Sequence, residues 1–375
     1  MHQPAPAGRR QAYRDAMTPS IVAIGTAVPH TRLAQHDVRE LFASQPGVDR
    51  LTRRLIHAAF DAADIDHRYS VLSGLQGDPG EGLAVRQHDG ELLSPTTGQR
   101  NAEYRRLAPA LFAEAARRAL SDAAMEAASV THLVTVSCTG LFAPGPDVRL
   151  VRDLGLDPAV ERYHHGFVGC AAAVPAIRVA HRIATAQPDA VVLIVCAELC
   201  SLHIRASSDP EQIVAASVFG DGAAAAVVTS ASGAGPRLEL ETFATSLTAD
   251  GEEDMAWTIG DHGFEMRLSA EVPRIVGREV RAAVSDLRDT QAWAVHPGGR
   301  SILDRVAAGL DLTDAQISPS RRVLRDYGNM SSATILFILR DLLHDAALGE
   351  ASIGALAFGP GLTVESARLR RRVGA

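Results

Sequence analysis

Short apolar runs that end in glycine-bearing turns, separated by alanine-rich stretches, recur along most of this chain. Residues 132–137 lead to Cys138, 191–196 form a second run, and 223–229 a third just after Phe219-Gly220-Asp221-Gly222. Later, residues 292–295 run into His296-Pro297-Gly298-Gly299 and residues 354–358 into Gly359-Pro360-Gly361. Runs that are apolar throughout, instead of alternating, belong to strands covered on both faces. Their alternation with Ala-rich helical segments predicts an α/β fold of stacked layers. Two such βα-rich stretches meet near 231–240, which suggests an internal duplication with one half over 18–235 and the other over 236–375.

The ends and connections read as follows. Residues 1–17 are rich in Ala, Pro, Gly and Arg and are expected to be a disordered leader, with the first strand at Ile21-Val22-Ala23-Ile24-Gly25. An Arg-bearing helix is expected at 48–63, a long Gly/Pro/Asp-rich loop over 74–101 and a helix over 102–128. A length of 375 residues suffices for a full core without disulfides or a structural metal. All 37 basic residues are Arg. Without lysine there is no Schiff-base catalysis, no pyridoxal phosphate anchor and no P-loop. A net charge of −7 argues against nucleic acid as a partner. No apolar run reaches the roughly 20 residues of a membrane span, so a cytoplasmic location is expected. The four cysteines, Cys138, Cys170, Cys196 and Cys200, form no zinc-binding spacing and are expected as reduced thiols.

Three segments carry groups that can do chemistry. In Gly166-Phe167-Val168-Gly169-Cys170-Ala171, the glycine permits a tight turn and the following Ala-rich stretch a helix. Cys170 at a helix N-terminus would be favoured as thiolate, although a small buried core cysteine accounts for the same tract. His296, at the end of an apolar run and followed by Pro-Gly-Gly, can receive a thiol proton or hold an oxyanion. On this segment alone, a strand-end histidine satisfied by backbone is the favoured reading. Asn329, in Tyr327-Gly328-Asn329-Met330-Ser331-Ser332, fits a helix N-cap. The same amide is also an uncharged donor able to stabilise developing negative charge.

Taken with Phe219-Gly220-Asp221-Gly222-Ala223-Ala224 and Phe358-Gly359-Pro360-Gly361-Leu362-Thr363-Val364-Glu365, these motifs stand in the order found in type III polyketide synthases. The chain resembles that chalcone synthase-like superfamily of thiolase-like condensing enzymes over about residues 20–370. The resemblance implies a five-layer αβαβα fold with two duplicated halves, a homodimer, and acyltransferase activity on CoA thioesters. Acyl-CoA and malonyl-CoA enter as substrates, and neither a further cofactor nor a metal is implied. By the same resemblance Cys170 carries the acyl chain, while His296 and Asn329 hold the malonyl thioester carbonyl as CO2 leaves. Phe219 and Met266 become gatekeepers, and Cys138, Cys200, His203, Trp257, Ser331 and Gly359-Pro360-Gly361 shape the pocket. Arg53, Arg54, Gly298 and Gly299 fall to the CoA.

The chain departs from the family pattern in four respects. Met266 replaces an aromatic gatekeeper, Trp257 a small residue, and Cys200 and His203 small hydroxyl residues; the basic residues expected on the early helix are not matched position for position. Such apolar substitutions suit the bacterial branch that makes alkylpyrones or alkylresorcinols from fatty acyl-CoA starters. Three other readings compete. One is a carrier-protein-dependent ketoacyl synthase III-like enzyme performing a single condensation. Another is a degradative thiolase, which needs a second active-site cysteine. The third is a catalytically dead scaffold of the same fold.

Overall fold

Thirteen strands are present among the described residues, 18–76, 90–231, 233–287 and 289–374, of the computed structural model. In chain order they are β1 (Ser20–Ala27), β2 (Thr31–Ala34), β3 (His67–Ser70), β4 (His132–Ser137), β5 (Glu161–Gly166), β6 (Val191–Leu199) and β7 (Asp221–Thr229). There follow β8 (Arg237–Leu247), β9 (Met255–Gly260), β10 (Gly263–Leu268), β11 (Ala292–Val295), β12 (Ala351–Gly359) and β13 (Thr363–Arg372). The leader at 1–17 and residues 77–89 of the expected loop lie outside the described residues.

Nine strands join in the order β11-β12-β13-β8-β1-β7-β6-β4-β5. The duplication is visible in this order. In the first half β4 and β6 are parallel, β7 is antiparallel to β6, and β1 is antiparallel to β7. The second half repeats the scheme with β11 parallel to β12, β13 antiparallel to β12, and β8 antiparallel to β13. Among the described residues, only the counterpart of edge strand β5 is missing from the second half. The two sets meet where Ser20 and Ile21 of β1 pair with Glu239 and Leu238 of β8, so the halves share one continuous sheet.

Burial explains why these runs are apolar on both faces. Along β6, Val192, Ile194 and Cys196 enter a core shared by the two halves, whereas Leu193, Val195 and Ala197 enter a second core under the helix Thr97–Asp122. On β12, Ile353, Ala355 and Ala357 face the shared core and Leu356 and Phe358 a third one, under the helices Val272–Ala283 and Arg300–Leu310. The shared core is filled by the helices Ala173–Ala186 and Thr334–His344. The two halves of this one sheet cover the central helices from either side, so outer helices, half-sheet, central helices, half-sheet and outer helices give the five layers. The early helix runs Arg50–Ala62, capped by Asp49. The next begins at Thr97, five residues earlier than the apolar period suggests, because Thr96 and Gln99 form a reciprocal capping box.

Candidate active site

Cys170 sits on a sharply turned connection. After β5, Phe167 (φ 59°) and Gly169 (φ 74°) adopt left-handed backbone, and Gly169–Ala171 makes one 3-10 turn before the helix Ala173–Ala186. The thiol therefore precedes the helix by a turn. Burial pushes it up to about 11, against hydrogen bonds from Ser331 and Asn329. The dipole-assisted thiolate expected from sequence is thus overridden by desolvation in the resting protein. Gly169 is required twice, for its φ and because a Cβ there would lie 2.5 Å from Pro360 Cδ. Gly359 is equally close to the turn: its Cβ would meet Ala171 Cβ and Val168 O, each at 3.1 Å. The Gly359-Pro360-Gly361 loop thus clamps the backbone beneath the sulfur. Gly169→Ala is expected to cost about 2–4 kcal/mol, from left-handed strain plus overpacking, read as a lower urea midpoint.

The second and third groups arrive from the other half. Asn329 is buried, and its Oδ1 accepts from Ser331 N at 2.8 Å. This fixes the amide so that its NH2 side is the one turned toward Cys170. Its backbone is tied to Phe219 by a bridge, with Gly220 N donating to Asn329 O at 2.9 Å. His296 follows β11 directly, and its N–H donates to Leu356 O at 2.8 Å. Three residues beyond Leu356, β12 reaches Gly359 against the Cys170 turn, so the strand pairing carries His296 toward the same end of the sheet. Neither His296 ring nitrogen has a hydrogen-bond partner, and burial pushes the imidazole down to about 3. In the resting protein it makes no hydrogen bond to Cys170.

One residue of the site went unassigned in the sequence reading. Glu198, within apolar β6, is fully buried and accepts from Cys138 N at 3.0 Å, Thr139 Oγ1 at 2.9 Å and Ser332 Oγ at 2.5 Å. Burial raises its carboxyl above the usual range. It ties the turn after β4 to the turn after Asn329. A lone carboxylate in an otherwise apolar strand was the available signal.

Around the sulfur lies a chamber of about 340 Å³. Cys138, Cys170, Cys200, Ser331 and Pro360 line it, with Phe219, Trp257 and Met266 across from them. Cys138 Sγ lies 3.4 Å from Ser331 Oγ. Trp257 and Met266 are cross-strand partners on the hairpin β9–β10, and Trp257 Nε1 donates to Cys138 O at 2.8 Å. His203 stacks on Phe264 at 4.3 Å; its Nδ1 accepts from Phe264 N and its Nε2 reaches Thr139 O, each at 2.9 Å. These bonds define a neutral tautomer with the proton on Nε2, and burial pushes the ring down to about 4.

Gly298 and Gly299 open instead on a surface groove of about 1550 Å³. Arg274, Arg300 and Arg305 line it, together with Ala59 and Ala62 of the early helix. Arg53 and Arg54 lie nearer the start of that helix and do not line the groove; Arg53 Nε donates to Ala43 O at 3.2 Å.

The family model for the N-terminal domain of chalcone and stilbene synthases matches residues 7–233, and that for their C-terminal domain residues 239–372. The chain is 32% identical to type III polyketide synthase 21 of Oryza sativa subsp. japonica, covering 93% of each chain. It is 29% identical to "Probable polyketide synthase 1" of Dictyostelium discoideum, over 97% of this chain but only 12% of that much longer protein. The crystal structure of PKS-I from the brown alga Ectocarpus siliculosus superposes with a TM-score of 0.88 at 28% identity, covering 94% of this chain and 98% of that one. The fold, the turn that carries Cys170 and the matched domains lead to one assignment: the chain belongs to the chalcone and stilbene synthase family, as a type III polyketide synthase and hence an acyltransferase-type condensing enzyme.

Proposed function

We propose that this enzyme loads a fatty acyl group from CoA onto Cys170, extends it with malonyl-CoA and closes the product to a pyrone or resorcinol. The observation that carries the reading is the Asn329 amide, fixed by Ser331 N so that its NH2 side is turned toward the buried Cys170 thiol; the neutral His296 imidazole at the end of β11 is proposed as the second donor. Loading forms the Cys170 S–C bond as the CoA thiolate leaves. In malonyl-CoA the carboxylate C–C bond then breaks and CO2 departs, leaving an enolate. Two uncharged N–H donors stabilise its oxygen without protonating the carbon. The enolate carbon attacks the Cys170 thioester, forming the new C–C bond and expelling the thiolate. A low-pKa imidazole suits this step, since an imidazolium would quench the carbanion.

CoA is proposed to lie along the groove that Gly298 and Gly299 open on. Arg274, Arg300 and Arg305 line that groove and are better placed for its phosphates than Arg53 and Arg54. A homodimer is proposed through the outer edge of β5, which is exposed along Glu161–His164 and leaves its backbone groups available to a second copy. No helix among the described residues is long and apolar enough to cross a membrane. With lauroyl-CoA and malonyl-CoA but no carrier protein, the purified chain is expected to release pyrone or resorcinol masses. Activity only with acyl groups on a carrier protein would favour the single-condensation alternative.

A further inference from the structure

We infer that Arg68 is a positioning residue for the condensation chemistry: its guanidinium fixes the end of the helix Pro210–Val218, and that end in turn fixes the Asn329 amide beside Cys170. The inference rests on the part given to Asn329 in the proposed function.

The last carbonyls of a helix have no partner within it. Here the helix closes with Phe219 N donating to Ala215 O, and the next four carbonyls are taken by groups from distant segments. Arg68 Nη1 donates to Ala216 O at 2.6 Å and to Phe219 O at 2.8 Å. Gln35 Nε2 donates to Ser217 O at 2.8 Å, and Asn329 N to Val218 O at 2.8 Å. One arginine nitrogen thus brackets the carbonyl that holds Asn329. The stem of Arg68 also lies against both sides of the Phe219–Asn329 bridge. A Cβ at Gly328 would come 3.0 Å from Arg68 Cγ, and one at Gly220 3.4 Å from Arg68 Cβ.

Helix capping alone does not account for an arginine at this place. Arg68 is 2% exposed on β3, with its guanidinium 5.5 Å from the Phe60 ring centroid, and burial pushes it down to about 10. Asp221 favours its charge, yet that carboxylate accepts from Val71 N and from Ser201 instead. Burying a charge on these terms is expensive, and Gln35 serves the neighbouring carbonyl without one. What the guanidinium adds is a single donor reaching two carbonyls three residues apart. The turn from helix into bridge is thereby held at both ends. Without that hold Val218 and Asn329 can shift together, and a displacement of ~1 Å in a group that meets the reacting atoms can cost ~10²-fold.

The test follows acetyl-CoA release from malonyl-CoA by the full chain carrying Arg68→Met, Asn329→Ala or both. Arg68→Met is expected to lower kcat about thirtyfold or more, with KM for malonyl-CoA changed by less than about threefold. In the Asn329→Ala background the same substitution should cost less than about threefold, because the group it positions is already gone. A merely structural role would give equal losses in the two backgrounds; that result, or no loss in either, would overturn the inference. Arg68→Lys keeps the charge but ends one bond short of Nη1. It is expected to lose about tenfold in kcat, again only while Asn329 is present, and its cycle decides the matter should Arg68→Met fail to fold. Undiminished release by Asn329→Ala alone would instead sink the role proposed for Asn329.

Discussion

Cys170→Ala is expected to abolish extended products while leaving malonyl-CoA decarboxylation measurable. In the proposed function the substitution removes the atom that forms the acyl thioester, so chain growth should fall by about 10⁴-fold or more, to the level set by uncatalysed acyl transfer. Decarboxylation has different requirements. It needs a carbonyl held by donors where enolate charge develops, and in the proposed function those donors are His296 and Asn329. Both are placed by elements the mutation does not touch: Asn329 by Ser331 N and its bridge to Phe219, His296 by the end of β11. Alanine is already the neighbour at 171 and fits the 3-10 turn. Acetyl-CoA released from malonyl-CoA, followed by chromatography beside ketide masses, separates the two activities. Loss of both together would assign the sulfur a part in forming the enolate, and retained ketide production would remove Cys170 from the acyl-carrying role.

What could be read from the sequence divides along physical lines. Strand-turn-helix punctuation is local. Apolar runs, the glycine before Cys170, the Pro-Gly-Gly after His296 and the Gly before Asn329 therefore place each group at an element end with no knowledge of the fold. Several element edges were legible for the same reason; β4 and β11 fall on the apolar runs that predicted them. The start of the helix at Thr97 was also available in Thr96-x-x-Gln99, but the Gly/Pro/Asp-rich stretch before it hid the capping box.

Properties created by convergence were not legible. Cys170 is desolvated by loops from both halves, Pro360 among them, so a helix-end argument could not give the sign of its shift. The burial that keeps the His296 imidazole neutral likewise comes from packing that no local segment encodes. Groove arginines from two separate helices, Arg274 with Arg300 and Arg305, are adjacent only once β11 and the helix after it are in place. Glu198 is the intermediate case: its charge in an apolar strand marked it, but its partners on two other turns gave it meaning.

His296→Gln should make Cys170 alkylation at neutral pH slower by 100-fold or more and change the shape of its pH dependence. Taken alone, the buried thiol at about 11 would be ionised to on the order of 10⁻⁴ at pH 7. Taken alone, the buried imidazole at about 3 would remain neutral. Each value reflects the cost of one isolated charge in a dry site. Transfer of the thiol proton to His296 creates two opposite charges that stabilise one another, so the resting values overstate the cost of activation during attack. Glutamine keeps an N–H donor of similar reach but cannot accept that proton. In the variant the thiol must ionise to solvent. Its iodoacetamide rate is then expected to rise about tenfold per pH unit from pH 6 toward 10, with no neutral plateau. The unmodified enzyme should react readily at pH 7 and show a shallower profile. Loading from acyl-CoA should fall in parallel with alkylation, because both begin with sulfur attack. Decarboxylation should fall less, since Asn329 and the glutamine amide still offer two donors to the enolate. Equal alkylation rates at pH 7 in the two proteins would show that His296 takes no proton from Cys170, leaving the oxyanion role as its sole contribution.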